Sequence, residues 1–192
     1  MRGARSRRRL PELPTVQLLA DRLSSDEAVP ASGWLAGVSA ALCAALVAKA
    51  ASRSDGWSES AGARAQALDL RDRLLALAAQ DARAYESALA ALERRHSGLA
   101  RALSAAADVP LAIAETAADV ALLAAEGAER ADGPSRADSA AAASLAAGAA
   151  RASAKLVAVN LSTVPGDERV VAAERAAETA QDAARRALAT EI

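Results

Sequence analysis

Residues 68–92 read LDLRDRLLALAAQDARAYESALAAL, and this stretch decides how the rest of the chain is read. Leu68, Leu75, Ala78, Ala82, Tyr85, Leu89 and Leu92 recur at three- and four-residue steps. That repeat gathers apolar side chains on one side of a helix. Asp69, Asp72, Arg73 and Arg83 fall mostly elsewhere on the cylinder, as a solvated side should. Asp81 is the misfit: three residues after Ala78 and four before Tyr85, it is expected at the edge of the buried arc. A carboxylate near an apolar surface is paired, protonated or functional. The plain alternative is a boundary residue wetted by solvent or paired with a nearby arginine.

Composition extends the helical reading to the whole chain. Hydrophobic residues make up 53% of 192, yet aromatics are only 2% and phenylalanine is absent. The core must therefore be filled by alanine, leucine and valine. Alanine is the best helix former, because it fixes no rotamers and buries no polar group, whereas a β-sandwich needs β-branched and aromatic residues. The expected class is all-α, within one domain spanning residues 13–192.

Upstream, residues 33–51, GWLAGVSAALCAALVAKAA, are nearly uncharged. The apolar run stops at Lys49, short of the roughly 20 residues that a bilayer asks for, so a central packed helix is expected rather than a membrane span. Gly33, Gly37 and Ala41, four residues apart, would admit a neighbouring backbone. Before it lie the loop SSDEAVPASG, a short helix over residues 15–24, and a basic arm of residues 1–12 expected to be disordered. Five of the 23 basic residues crowd into the first ten positions, leaving 18 against 24 acidic ones, a balance of −6. Such a charge offers no basis for binding nucleic acid. The single cysteine, Cys43, excludes an internal disulfide and a cysteine-clustered zinc site, reads as a small buried hydrophobe, and suits a cytoplasmic location.

Downstream, the helix through Asp81 is expected to end near Arg95, with His96, Ser97 and Gly98 as the break. Residues 99–127 are again helical in pattern, but Pro110 predicts a kink or a split near Val109. After the loop ERADGPSRAD come helices over residues 135–164 and 167–190, the last with alternating charges on a solvated face. Five long helices and a short N-terminal one make an antiparallel bundle. The apolar second helix has more surface to bury than such a bundle offers, which predicts a homodimer.

Many catalytic devices are missing. A lone His96 removes His-based triads and two-histidine metal motifs, so no metal is expected. No phosphate-cradling glycine loop is present, nor a run of aromatics to stack bases. Trp34 and Trp57 read as packing residues beside loops, and Lys155 as a snorkelling side chain. Carboxylates, hydroxyls and backbone groups remain, an inventory suited to a substrate that carries its own electrophile.

The order of segments resembles the cyclodeaminase/cyclohydrolase family, which includes the cyclodeaminase half of formiminotransferase-cyclodeaminase and the methenyltetrahydrofolate cyclohydrolases. LPTVQLLADRL (13–23) is similar to the family's opening segment, and AVPASGWLAGVSAALCAAL (28–46) to its proline, triple-glycine, serine and alanine stretch. AQDARAYESAL (79–89) resembles its Asp-Ala-x-Ala-aromatic segment, and ADVPLAIAETAADVALLA (107–124) its Val-Pro-Leu helix. Residues 135–161 resemble the Ser-Asp segment that leads to a late Asn-Leu.

The resemblance implies an all-helical homodimer that takes a tetrahydrofolate derivative as substrate in a cleft near the subunit interface. The reaction would be hydrolysis of the 5,10-methenyl derivative or ring closure of the 5-formimino derivative with loss of ammonia. It implies Asp81 as the catalytic carboxylate. Pro30, Ser32 and Gly33 would line the turn beside the pterin, and Asp138 and Asn160 would hydrogen-bond the ring or fix the loop. Some positions depart from the pattern. The triple glycine is Ala31-Ser32-Gly33, the next serine is Trp34, a Leu-Pro-Lys loop after the aspartate helix is absent, Leu156 replaces an asparagine, and Ala137 replaces a serine. These departures set an alternative beside the enzyme: a non-catalytic helical dimer, structural or partner-binding, that keeps the fold without the substrate. An arginine or lysine reaching the cleft, among Arg64, Arg71, Arg151 and Lys155, would favour the enzyme, because a folate carries an acidic tail.

Overall fold

The computed structural model describes residues 14–29, 31–93 and 99–190, with only the backbone course given for 14, 91–93 and 99–102. The basic arm 1–12, Pro30, the side chain of Leu92 and the expected break at His96–Gly98 lie outside the described residues. Among the described residues every regular element is a helix. They are α1 (Pro14–Leu23), α2 (Ser32–Ala51), α3 (Ser60–Glu93), α4 (Leu99–Ala106), α5 (Asp108–Arg130), α6 (Pro134–Asn160) and α7 (Glu168–Ala189).

The expected split at Pro110 is present and divides α4 from α5. Pro110 occupies the first turn of α5, three residues past Ala107 at the N-cap, where its missing N–H would have had no intrahelical acceptor. The helix expected to reach Val164 ends instead at Asn160. Val164 precedes Pro165, which disfavours helical backbone, and Gly166 follows with φ of 79°, a conformation that costs a glycine little.

The core is built largely from alanine. Ala40, Ala44, Ala67, Ala117, Ala121, Ala142, Ala146 and Ala150 are buried between α2, α3, α5, α6 and α7, and the largest fully buried side chains are Leu74, Ile113, Val47, Val120 and Val157. Each methyl group contributes on the order of 0.8 kcal/mol, so stability comes from many close contacts rather than a few large anchors. A second, smaller core gathers Ala107, Ala154, Val157, Leu161, Ala173 and Ala177 beneath the α4–α5 junction. Helix α2 reaches 20 residues, the length a bilayer asks for rather than short of it. By length and composition alone α2 and α6 could each cross a membrane, and about half of each is buried inside the fold.

The buried stripe of α3 is not the one that the leucine spacing suggests. Ala67, Leu70, Leu74, Leu77, Ala78, Asp81 and Ala88 face inward, while Leu75 is 46% exposed and Tyr85 43%. Asp81 therefore sits inside the stripe, not at its edge.

Candidate active site

The start of α2 lies close against α3, and two glycines make the approach possible. A Cβ on Gly37 would stand 3.0 Å from the Ala78 Cβ. One on Gly33 would overlap both Asp81 carboxylate oxygens and come within 2.5 Å of the carboxylate carbon. No side chain caps α2, since its N-cap is Ala31. Its first amides need an acceptor and carry the positive end of the helix dipole. Asp81 brings a carboxylate to that end from the neighbouring helix, beside the Trp34 backbone N–H, which holds its pKa down.

Asp81 is only 8% exposed, and no cation pairs with its carboxylate among the described residues. Burial raises its pKa above the ordinary aspartate value, and the Trp34 N–H offsets part of the rise. A group so placed can hold a proton nearer neutrality than a solvated aspartate and can stabilise a cation beside it.

Asp81 opens onto a cavity of about 200 Å³. Tyr85 and Ala88 of α3, Leu103 and Ala106 of α4, and Asn160 at the end of α6 complete its walls. The Asn160 amide nitrogen donates to the Ala106 carbonyl at 3.3 Å, which ties α6 to the end of α4. Two residues 79 positions apart in sequence, Asp81 and Asn160, thus share one hollow. Tyr85 was a missed wall residue, although its place four residues after Asp81 on a helix puts it on the same face.

The other expected site residues lie elsewhere. Gly33 makes room for the Asp81 carboxylate rather than lining the cavity. Ser32 is exposed and faces a groove between α2 and α6. Asp138 pairs with Lys49 at 3.0 Å, at the far end of α2 and about 24 Å along the helix axis from Gly33 at 1.5 Å per residue. Trp34 is half-buried and its indole is not among the cavity walls; Trp57 is buried in the core. None of Arg64, Arg71, Arg151 and Lys155 lines the cavity. Arg71 instead pairs with Asp72 and Arg151 with Glu174. Among the described residues no three of His, Cys, Asp and Glu gather as a metal site.

Comparison with known proteins places this geometry. The chain superimposes on the crystal structure of formiminotetrahydrofolate cyclodeaminase from Thermotoga maritima with a TM-score of 0.80, covering 90% of this chain and 92% of that one at 20% identity. At that identity the likeness establishes the fold. No curated protein matches the sequence directly. The family model for formiminotransferase-cyclodeaminase matches residues 15–181, and over that span, which includes Gly33, Asp81 and Asn160, the chain belongs to the formiminotransferase-cyclodeaminase family.

Proposed function

We propose that this protein is a folate one-carbon enzyme, either a methenyltetrahydrofolate cyclohydrolase or a formiminotetrahydrofolate cyclodeaminase, with Asp81 as its catalytic carboxylate. The observation that carries the reading is the Asp81 side chain: buried, without a cationic partner among the described residues, and opening onto a cavity. Membership of the family and the cyclodeaminase activity for which the Thermotoga maritima protein is named support it.

A methenyl bridge is an amidinium cation, so the site needs an anion rather than a metal or a nucleophile. In hydrolysis, water adds to the bridge carbon and passes a proton to Asp81. The carbon–N5 bond then breaks as N5 takes a proton, which leaves the 10-formyl derivative and one proton for solvent. In cyclodeamination, N10 adds to the formimino carbon and its proton passes to the imino nitrogen; the Asp81 carboxyl then protonates that amine, the carbon–nitrogen bond breaks, and ammonia leaves the 5,10-methenyl cation. A carboxyl with a raised pKa suits both directions of transfer. The cavity, about 200 Å³, is smaller than sites for whole drug-sized ligands. It suits the bicyclic head, with the glutamate tail leaving through the mouth beside Tyr85. Asn160 would hydrogen-bond the ring. Asp138, held by Lys49, would fix the start of α6.

The proposed assembly is an antiparallel bundle paired as a homodimer. Support comes from a groove of about 560 Å³ between α2 and α6, where Leu35, Leu42 and Leu145 are 43%, 66% and 62% exposed. Cys43, whose thiol burial pushes up to about 11, suits the reducing cytoplasm proposed for the protein.

The test is spectroscopic. Purified protein is incubated with 5,10-methenyltetrahydrofolate and loss of the bridge absorbance is followed for wild type and Asp81→Asn. Turnover by the wild type, reduced at least about 100-fold in the variant, is expected. A wild-type rate equal to the buffer blank, with no calorimetric binding of folate, leaves a non-catalytic helical dimer.

A further inference from the structure

Most ion pairs of this chain are single surface contacts between roughly half-exposed side chains, as in Lys49–Asp138 and Arg151–Glu174. Arg169, in the first turn of α7, is different. Its Nε donates to Asp167 Oδ1 at 3.0 Å and its Nη2 to Asp167 Oδ2 at 2.8 Å. Nη2 also donates to Ser104 Oγ at 2.9 Å, and Nη1 donates to the Ser104 carbonyl at 2.7 Å and to Asp108 Oδ1 at 2.6 Å. A guanidinium has five N–H donors in a fixed planar fork, and here all five are engaged within the chain. The side chain is 26% exposed.

The acceptors are not scattered. Ser104 belongs to α4 and Asp108 starts α5, so they bracket Ala106 and Ala107 at the junction. Leu103 and Ala106 form the α4 wall of the Asp81 cavity, and the Ala106 carbonyl receives the Asn160 amide. Helix α4 has eight residues and packs chiefly along α3. So short a helix has little stability of its own and must be held by tertiary contacts.

We infer that Arg169 is a positioning residue for the Asp81 cavity, locking the α4–α5 junction, and with it the Leu103–Ala106 wall, against the start of α7. Its kinetic consequence rests on the folate reading given above. Because every donor is already spent, Arg169 is not the cation that receives the folate tail; an anion bound there would have to break the clamp. Released, the wall would let the cavity widen and Asn160 lose its acceptor, while Asp81 would keep its seat against Gly33 and Trp34. Substrate binding should therefore suffer more than the chemical step.

The test compares the full-length wild type with Arg169→Gln, Arg169→Lys and Arg151→Gln. Two readouts are used: steady-state kinetics with 5,10-methenyltetrahydrofolate and amide hydrogen exchange over residues 99–107. For Arg169→Gln the expected result is a KM raised about tenfold with kcat within about twofold, and α4 amides exchanging at least about tenfold faster. Lysine keeps the charge but not the fork and should rescue only part of both effects. Arg151→Gln, which severs an α6–α7 pair away from the clamp, should change neither. If Arg169→Gln does not fold, Asp108→Ala and Ser104→Ala remove the clamp one side-chain acceptor at a time and should shift both readouts in the same direction. Unchanged exchange in α4, or faster exchange with an unchanged KM, overturns the inference. Should the wild type neither turn over nor bind folate, the folate reading falls, and the exchange data alone still decide whether Arg169 holds the wall.

Discussion

Gly33→Ala puts the central geometry to a quantitative test. The new methyl carbon would come within 2.5 Å of the Asp81 carboxylate carbon and overlap both oxygens, about 1 Å inside ordinary van der Waals contact. The carboxylate cannot retreat far, because it is one carbon from a backbone held in the buried stripe of α3. Either the helices part, at roughly 1–3 kcal/mol for an overpacked contact, or the carboxylate swings into the cavity. The swing moves it away from the Trp34 backbone N–H, at a comparable cost. A net loss of about 1–3 kcal/mol follows, seen as a Tm lower by about 2–4 °C for each kcal/mol in a domain of this size. The assay is chemical and thermal unfolding followed by circular dichroism, in wild type, Gly33→Ala, Asp81→Ala and the double variant. With the carboxylate gone the methyl group has space, so Gly33→Ala should cost under about 1 kcal/mol in the Asp81→Ala background, a coupling of about 1–3 kcal/mol. Equal costs in both backgrounds would refute the close contact and the seat it gives Asp81.

Four further outcomes are expected. Burial raises the Asp81 pKa, so the ionised carboxylate costs the folded state stability above the ordinary aspartate range and nothing below it. Asp81→Asn should therefore unfold about 0.5–2 kcal/mol less readily at neutral pH, with the gain fading in acid; a variant equally stable at every pH contradicts this. The acid limb of kcat should likewise lie above the ordinary carboxylate range. Asp167 is held down to about 2 by the Arg169 side chain and backbone N–H, so its contribution is complete above about pH 4 and lost as pH falls toward 2. Acid titration of Arg169→Gln should lack that component of the wild-type slope. Finally, Leu42→Asp and Leu145→Asp, placed on exposed apolar positions of the α2–α6 groove, should halve the mass in sedimentation equilibrium; a monomeric wild type rules out the dimer.

The helical class was legible because alanine-rich text with almost no aromatics admits little else, and the Pro110 split because proline acts locally. Asp81 stood out as a carboxylate near an apolar stripe, yet its depth did not. Leu75 fits the repeat and faces outward, and Tyr85 is left half-exposed at the cavity, because α2 and α5 pack against the stripe of Leu70, Leu74, Leu77 and Ala78 instead. Gly33 was visible as a glycine before a helix, but its work could be named only once α3 was seen to press a carboxylate against it. Asp138 carries the same functional groups as Asp81 and ended up beside Lys49, at the other end of α2.

Sequence by itself determined what depends on neighbours along the chain: helix formation, the position of breaks, the small-residue core and the choice of a carboxylate as candidate catalyst. Tertiary structure alone decided which carboxylate is dry, that Asn160 shares its hollow, and that Arg169 braces one wall. Burial, desolvation and a five-donor clamp are properties of groups brought together from distant positions, and no local periodicity encodes which of many similar helix faces will meet.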